Sequence, residues 1–147
     1  MQLTGSIRSI LEQKRGVIHT AAPSDSVFDA IKKMAEKEVG ALIVVDDEHV
    51  VGIVSERDYA RKVILRGHSS KEITVAQIMS SPVIFVDPEY SMEECMRIIT
   101  DQRIRHLPVM RGSRLIGIIS IGDLVNAILS EQSETIRHLE AYISGAG

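Results

Sequence analysis

The 147-residue sequence predicts a mixed α/β (α+β) fold built from two related halves. A shift of 65 residues aligns the halves without a gap after the proline, so that Pro23 falls on Pro88. Both halves also show the same order of patterns, which indicates a β-α-β-β-α unit. Their strands are apolar on both faces, as in Leu42–Val45 and Leu115–Ser120, and such strands need cover on both sides. We therefore expect two pseudo-twofold repeats packed sheet to sheet, with extra helices at the N- and C-terminal ends.

The elements of each half follow in order from their local patterns. An extended segment comes first, a proline turn follows, and a serine N-cap then opens a helix with one apolar face. Two strands joined by a polar hairpin turn come next, and a second helix begins at the serine that ends the second strand. The extended segments are Val17–Ala21 and Val83–Val86, the N-caps Ser26 and Ser91, the strands Ala41–Val45, Val50–Val54, Leu107–Met110 and Leu115–Ile119, and the second helices start at Ser55 and Ser120.

Each half is too small to be stable alone, because a unit of about sixty residues buries too little surface. The predicted boundaries are 8–69 for the first repeat with its N-terminal helix, 70–131 for the second repeat and 132–147 for a helical tail. The end helices either pack together or against a second subunit, or they dock on the chain's own core. Their apolar stripes are Ile7, Ile10 and Leu11 in the first and Ile136, Leu139 and Ile143 in the second.

Composition argues against several classes of protein. Aromatic residues make up only 3% of the chain, so a base-stacking nucleic-acid surface is not expected and the core must be aliphatic. A net charge of −3 gives no overall positive field for nucleic acid or an anionic membrane. Cys95 is the single cysteine, which excludes an intramolecular disulfide and a cysteine-based zinc site. Without a signal-like or membrane-spanning apolar run, we expect a cytoplasmic protein.

The most informative motif is a duplicated G-h-h-S-x-x-D, in which h is apolar, at Gly52–Asp58 and Gly117–Asp123. One interpretation is structural, because serine at the N-cap and an acid three residues later form a capping box. The other is functional. The glycine permits close approach, the helix N-terminus offers N–H groups to a phosphate, and the carboxylate can accept hydrogen bonds from a ribose diol. Both interpretations predict the repetition, so the sequence leaves them open.

The whole pattern resembles a tandem cystathionine β-synthase (CBS) domain pair, or Bateman module, of the stand-alone prokaryotic type. The resemblance covers about residues 8–130 and is carried by LIVVDDEHVVGIVSERD, by HLPVMRGSRLIGIISIGD and by RIRHLPV before the second strand pair. It implies an adenosine-containing ligand in the cleft between the halves: AMP, ADP, ATP, NAD(H) or S-adenosylmethionine. It also implies a homodimer and a sensor that needs no metal and catalyses no reaction.

The resemblance further implies which residues hold the ligand. Asp58 and Asp123 would hold the ribose hydroxyls, with Ser55 and Ser120 near the ribose or phosphate. Aliphatic side chains and the first strand of each half would enclose the purine. The purine residues are His19, Thr20, Ala21, Val83, Ile84, Val86, Ile53 and Ile118, and the phosphate residues are Arg103, Arg105, His106 and Arg57. Glu38, Gly40 and Ala41 replace the basic cluster in the first half, so unequal sites are expected.

Other candidates have structural explanations. His106 is read as a phosphate donor or cleft histidine rather than a base or metal ligand, because no partner stands at ligand spacing. Cys95 lies on an apolar helix face, which favours packing over nucleophilic work. The basic run Arg57–Arg66 is read as a solvated face, with a phosphate-lined or partner-binding edge as the alternative. The alternative function is a regulatory or scaffold subunit that binds a partner protein and retains only a vestigial nucleotide site.

Overall fold

The computed structural model describes residues 5–14 and 18–143, and it leaves aside the side chains of residues 132–136, 138 and 142. Two small sheets and several helices alternate along the chain, which confirms the mixed fold class. The helices are α1 (Arg8–Lys14), α2 (Val27–Lys37), α3 (Glu56–Tyr59), α4 (Val75–Ile78), α5 (Met92–Gln102) and α6 (Ile121–Ile143). A π-helical turn, Ala60–Ile64, continues α3, and the strands are β1 (Thr20–Ala21), β2 (Ala41–Asp46), β3 (His49–Ser55), β4 (His106–Arg111) and β5 (Arg114–Ser120).

The first sheet has the order β1-β2-β3. β1 pairs with β2 in parallel, with Ala21 opposite Val44, and β2 pairs with β3 antiparallel. Asp47 and Glu48 join β2 to β3 and both have positive φ, which suits the tight two-residue turn of a hairpin. The predicted extended segment is thus a two-residue strand, and Val17 at its start lies outside the described residues.

The second sheet contains β4 and β5, and the extended segment predicted at Val83–Val86 does not become a strand of it. Only Val86 pairs with β4, through a single parallel bridge to Val109. Pro108 explains the difference, because it stands 65 residues after Ile43 of β2 and has no N–H to donate to a parallel neighbour. The prediction of an extended segment is therefore confirmed only at its last residue.

Both predicted N-caps form. The Ser26 side chain accepts a hydrogen bond from the backbone N–H of Asp29, and Ser91 forms a reciprocal capping box with Glu94. α2 and α5 also end alike, because Glu38 and Arg103, 65 residues apart, are both left-handed C-caps with φ 55°. The repeat seen in the sequence therefore extends to backbone conformation.

The chain divides into two compact units that differ from the sequence repeats. One comprises residues 5–14, 86–111 and 117–143, and the other comprises residues 18–85 and 112–116. Within the first unit, Ile7 and Ile10 of α1 are buried, so this stripe docks on the chain's own core as one alternative anticipated. Sheet-to-sheet packing of the repeats stays a prediction.

The helix at the C-terminal end is continuous. α6 runs unbroken from Ile121 to Ile143, so the residues assigned to a tail from 132 onward extend the second helix of the second repeat. Leu139 and Ile143 are 57% and 83% exposed, whereas the side chain of Ile136 and residues 144–147 lie outside the described part. The second predicted stripe therefore remains uncovered where it is described.

The core is aliphatic, as the composition predicted. Within the described residues no polar or charged side chain is buried, and the buried apolar set contains no aromatic ring. In the unit of residues 18–85 the central cluster is Ala21, Val27, Ala30, Met34, Leu42, Val44, Val54, Val63, Val75 and Ile78. This packing fixes the strand ends from which the duplicated motif projects.

Candidate functional site

In the second repeat, Ser120 and Asp123 bond to each other across the start of α6. The Ser120 backbone N–H donates to Asp123 Oδ2 at 2.8 Å, and the Asp123 backbone N–H donates to Ser120 Oγ at 3.1 Å. This reciprocal pattern is the predicted capping box, and it holds the carboxylate at the positive end of the helix dipole. The structural interpretation of the motif is therefore confirmed here.

Lys14, the last residue of α1, reaches the same carboxylate. Its Nζ donates to Asp123 Oδ2 at 2.8 Å and to the backbone carbonyl of Ile118 at 2.9 Å. The side chains of Lys14 and Asp123 are 37% and 24% exposed, so the ion pair lies at the surface of its unit without being fully solvated. The motif thus recruits a partner from the other end of the chain.

Local contacts decide the protonation state of Asp123. Its burial alone would raise the pKa, but hydrogen bonds from Lys14 and Ser120, together with the Lys14 charge, hold the pKa below its usual 3.8. Asp123 is therefore an ionised hydrogen-bond acceptor at neutral pH. An ionised carboxylate is the acceptor that a pair of ribose hydroxyls requires.

Arg105 and His106 lie next to this carboxylate. The Arg105 carbonyl accepts the backbone N–H of Ile121 at 2.9 Å, which places the residue at the start of α6. Burial lowers the pKa of His106 below its usual 6.5, the Lys14 and Arg105 charges lower it further, and Asp123 opposes them. His106 is therefore a neutral imidazole at pH 7, with one donor and one acceptor nitrogen.

The first repeat builds the same cap with a different lysine. Asp58 Oδ2 accepts hydrogen bonds from the Ser55 backbone N–H and from Ser55 Oγ, both at 3.0 Å. Lys62, one turn later, lies 3.1 Å from Asp58 Oδ1 and donates to the Ile78 carbonyl at 2.8 Å. Asp58 is only 14% exposed, compared with 24% for Asp123. The two motifs share their caps but differ in the origin of the cation and in exposure.

Close approach explains both glycines of the motif. A Cβ on Gly52 would lie 2.5 Å from Met79 Sδ and 3.1 Å from the Ser80 carbonyl oxygen, and a Cβ on Gly117 would lie 2.7 Å from Leu11 Cδ2. The groups that come close are therefore segments of the chain itself. Each motif strand is covered by residues that precede a repeat in the sequence.

The remaining predicted ligand residues occupy varied environments. Val86 and Ala21 are buried at 1% and 6% exposure, so their side chains offer little surface, whereas Ile84 is 39% exposed. The Thr20 carbonyl accepts a hydrogen bond from Lys33 Nζ at 2.5 Å. Half-buried positions are those of His19, Thr20, Val83, Ile53, Ile118 and Arg57, and Arg103 is the exposed C-cap of α5.

Two lysines were not assigned to the site from the sequence. Lys62 was read as part of a solvated basic face, although its position four residues after Asp58 is the spacing of a helical ion pair, and this signal could have identified it. Lys14 is 109 residues from Asp123, and no local spacing relates them. Only the three-dimensional packing of α1 brings Lys14 to the second motif.

Other chemistry finds little support in the part of the chain that is described. Residues 5–14 and 18–143 contain no group of three His, Cys, Asp or Glu side chains placed to hold a metal ion. No helix among the same residues is long and apolar enough to cross a membrane. Cys95 is fully buried, and this burial raises its pKa to about 11. The thiol is therefore protonated and shielded, as the packing interpretation expects.

Comparison with known proteins gives one consistent family. The CBS domain family model matches the chain twice, at residues 14–65 and 75–130. A mitochondrial CBS domain-containing protein of Arabidopsis thaliana, CBSX3, is 44% identical over 126 residues, which are 82% of this chain and 61% of the relative. The chain thus spans about three fifths of that relative's length.

Solved structures give the same answer. A CBS-domain protein from Burkholderia ambifaria is 49% identical with a TM-score of 0.84, covering 87% of this chain and 96% of that one. A CBS-domain-containing protein from Agrobacterium tumefaciens is 33% identical with a TM-score of 0.79, covering 84% and 98%. A hexameric CBS-CP12 protein from bloom-forming cyanobacteria is 36% identical with a TM-score of 0.76, covering 84% and 68%.

Proposed function

Because the chain belongs to the CBS domain family, we propose that it is a regulatory module that senses adenine nucleotides and catalyses no reaction. The ligand class is AMP, ADP, ATP or NAD(H), with S-adenosylmethionine as a related adenosyl ligand, and no metal is required. Signal transduction has been suggested for the Burkholderia ambifaria relative, which agrees with a regulatory role.

The observation that supports this proposal best is the ionised carboxylate at the helix start in each repeat. Asp58 and Asp123 each keep a cap to their serine and an ion pair to a lysine, and each retains some exposed surface. A carboxylate can accept both hydroxyls of a ribose, and the neighbouring ammonium groups complement a phosphate. Half-buried aliphatic side chains, among them Ile53 and Ile118, would enclose the purine, which gains most of its binding energy from apolar burial.

Direct binding experiments test the proposal. The purified protein should release bound nucleotide on denaturation, detectable by mass spectrometry. Titration calorimetry with AMP, ATP, NADH and S-adenosylmethionine should then rank the ligands. If none binds below millimolar concentration, the sensor function is wrong.

Substitution of the two aspartates tests the site. We expect Asp123→Asn to weaken binding more than Asp58→Asn, because the second motif has the fuller basic surroundings and the more exposed carboxylate. The loss for Asp123→Asn should be about tenfold, the effect of removing a charged hydrogen-bond partner. Asp101→Asn, an exposed change on α5, is the matched control. Equal losses in both motif variants would contradict the ranking, and thermal unfolding of each variant separates a lost cap from lost binding.

A specific feature also supports the alternative of a scaffold or partner-binding subunit. α6 carries an exposed apolar stripe formed by Ile121, Val125, Leu129, Leu139 and Ile143, with exposures from 37% to 83%. Exposed apolar stripes of this kind are typical of interaction surfaces. We propose that the stripe contributes to a homodimer, and the related hexameric CBS-CP12 protein is a precedent for assembly.

Light scattering after gel filtration tests this association. Leu129→Glu places a charge in the stripe and should convert a dimer to monomer, whereas Arg137→Glu, an exposed change on another face of α6, should not. A dimer unaffected by Leu129→Glu would remove the stripe from the interface. Binding of a partner protein without any nucleotide would favour the scaffold function.

The cytoplasm is the proposed location. The Arabidopsis relative is mitochondrial, so the compartment is not shared by all members of the family. Cell fractionation with an antibody to the chain distinguishes the two.

A further inference from the structure

α1 precedes the first repeat in the sequence but is built into the unit of the second motif. The Ile7 backbone N–H donates to the Tyr90 carbonyl and the Met92 N–H donates to the Gly5 carbonyl, both at 3.0 Å. Ile7 and Ile10 are at most 4% exposed. The helix is therefore anchored at its start by backbone bonds and along its length by apolar packing, which leaves its last residue, Lys14, in a defined place.

The Lys14 ammonium has donor capacity beyond its present contacts. An ammonium group carries three N–H donors, and two described acceptors, Asp123 Oδ2 and the Ile118 carbonyl, account for two of them. At 37% exposure the side chain still meets solvent. A third acceptor can therefore reach Lys14 without breaking either existing bond.

The surroundings of Lys14 favour an anion as that acceptor. Lys14 and Arg105 both act on His106 and both carry positive charge, whereas Asp123 is the negative group there. Lys14 and Asp123 also line a groove between α1 and α6 with a volume of about 480 Å³, which has Asn126 and Ser130 as further polar lining. The carboxylate neutralises only one of the two cations, so an excess of positive charge remains.

We propose that Lys14 is the phosphate-binding residue of the second-repeat site and makes this site select phosphorylated nucleosides over uncharged ones. The inference rests on the proposed function, because it takes the ribose at Asp123 as given. The ribose hydroxyls accept their place at the carboxylate, and the adjacent ammonium donates its remaining N–H to the phosphate. The N-terminal helix is then part of the binding site of the second repeat.

The experiment compares AMP with adenosine, which differ by the phosphate alone. Two-dimensional NMR of the full chain follows the amides of residues 117–123, so that the measured affinity belongs to this site. Lys14→Met should weaken AMP binding about tenfold, the effect of one charged hydrogen bond, and should leave adenosine binding unchanged. Lys37→Met is the matched control, because Lys37 is also the last residue of a helix, and it should change neither affinity.

Each other outcome decides the matter. Equal loss for both ligands in Lys14→Met assigns Lys14 a structural role, and tighter binding of both shows that it competes with the ribose for Asp123; either result overturns the inference and leaves the nucleotide sensor intact. If the wild type binds neither ligand, the proposed function fails. Pyrophosphate then decides the inference: shifts at residues 117–123 that Lys14→Met abolishes retain the phosphate role, and their absence refutes it.

Discussion

Gly52→Ala is the substitution whose effect the structure specifies most closely. A methyl group there would lie 2.5 Å from Met79 Sδ and 3.1 Å from the Ser80 carbonyl oxygen. Ordinary contacts between nonbonded carbon atoms are about 3.5–4.0 Å, so Met79 must retreat by about an ångström or more. Ser80 cannot retreat as easily, because its backbone exchanges hydrogen bonds of 3.2 and 2.9 Å with Ile53.

The cost follows from the rigidity of that backbone bridge. Overpacking a tight site destabilises proteins by about 1–3 kcal/mol, and the combination of a side-chain and a backbone contact favours a value of about 2 kcal/mol. For a chain of this size, that loss lowers the melting temperature by about 4–8 °C.

Gly117→Ala provides the matched control, because Gly117 stands 65 residues later in the same motif. The atom that its methyl group would meet is Leu11 Cδ2, the free end of a side chain that can rotate. We expect a loss below about 1 kcal/mol, partly offset by the lower conformational entropy of alanine in the unfolded chain.

Thermal unfolding followed by circular dichroism, with urea titrations for the free energy of unfolding, measures both changes. Gly52→Ala combined with Met79→Ala should recover part of the loss, since the Ser80 contact remains. Equal losses for Gly52→Ala and Gly117→Ala would refute the reasoning, as would full recovery in the double variant. The first result would show that the backbone bridge yields as readily as a leucine side chain.

Two further predictions concern titratable groups. Cys95 should resist thiol reagents in the native protein and react only on global unfolding, because burial raises its pKa to about 11; rapid labelling under native conditions would contradict this. The pKa of His106 is lowered below 6.5 by burial and by Lys14 and Arg105 against Asp123, so the folded state binds fewer protons than the unfolded state. The resulting stability is complete above pH 6.5 and is lost as the pH falls through the lowered pKa. Urea unfolding at about pH 7.5 and about pH 5.5 should therefore show a larger acid loss for wild type than for His106→Gln, and equal losses would contradict it.

Local sequence signals predicted the elements that depend on local chemistry. Serine N-caps, the strand pairs and the duplicated Gly-to-Asp motif all form where their patterns stand, because capping and hairpin pairing involve residues a few positions apart. The strand expected at Val83–Val86 failed for an equally local reason, the absent N–H of Pro108, which was visible in the sequence but was not applied to the neighbouring strand.

Long-range packing could not be predicted in the same way. Nothing near Lys14 in the sequence points to Asp123, and the assignment of the N-terminal helix to the first repeat followed chain order alone. In the structure, α1 lies in the compact unit that contains the second motif. The repeats identify homologous residues, but the folded units depend on which segment covers which strand.

The two motifs obtain their lysine and their cover by related routes that have diverged. Ala127 stands 65 residues after Lys62, so the second helix lacks the cation that the first helix supplies to its own aspartate. Met79 stands 65 residues after Lys14, and both residues lie in the segment that leads into a repeat and covers a motif strand. In the first motif this position supplies apolar cover for Gly52. In the second motif the cover comes from Leu11, and the same position supplies the charge that Ala127 cannot. A charge removed from one helix has thus been restored from a distant segment, which ties the second site to α1 and leaves the first site dependent on its own helix.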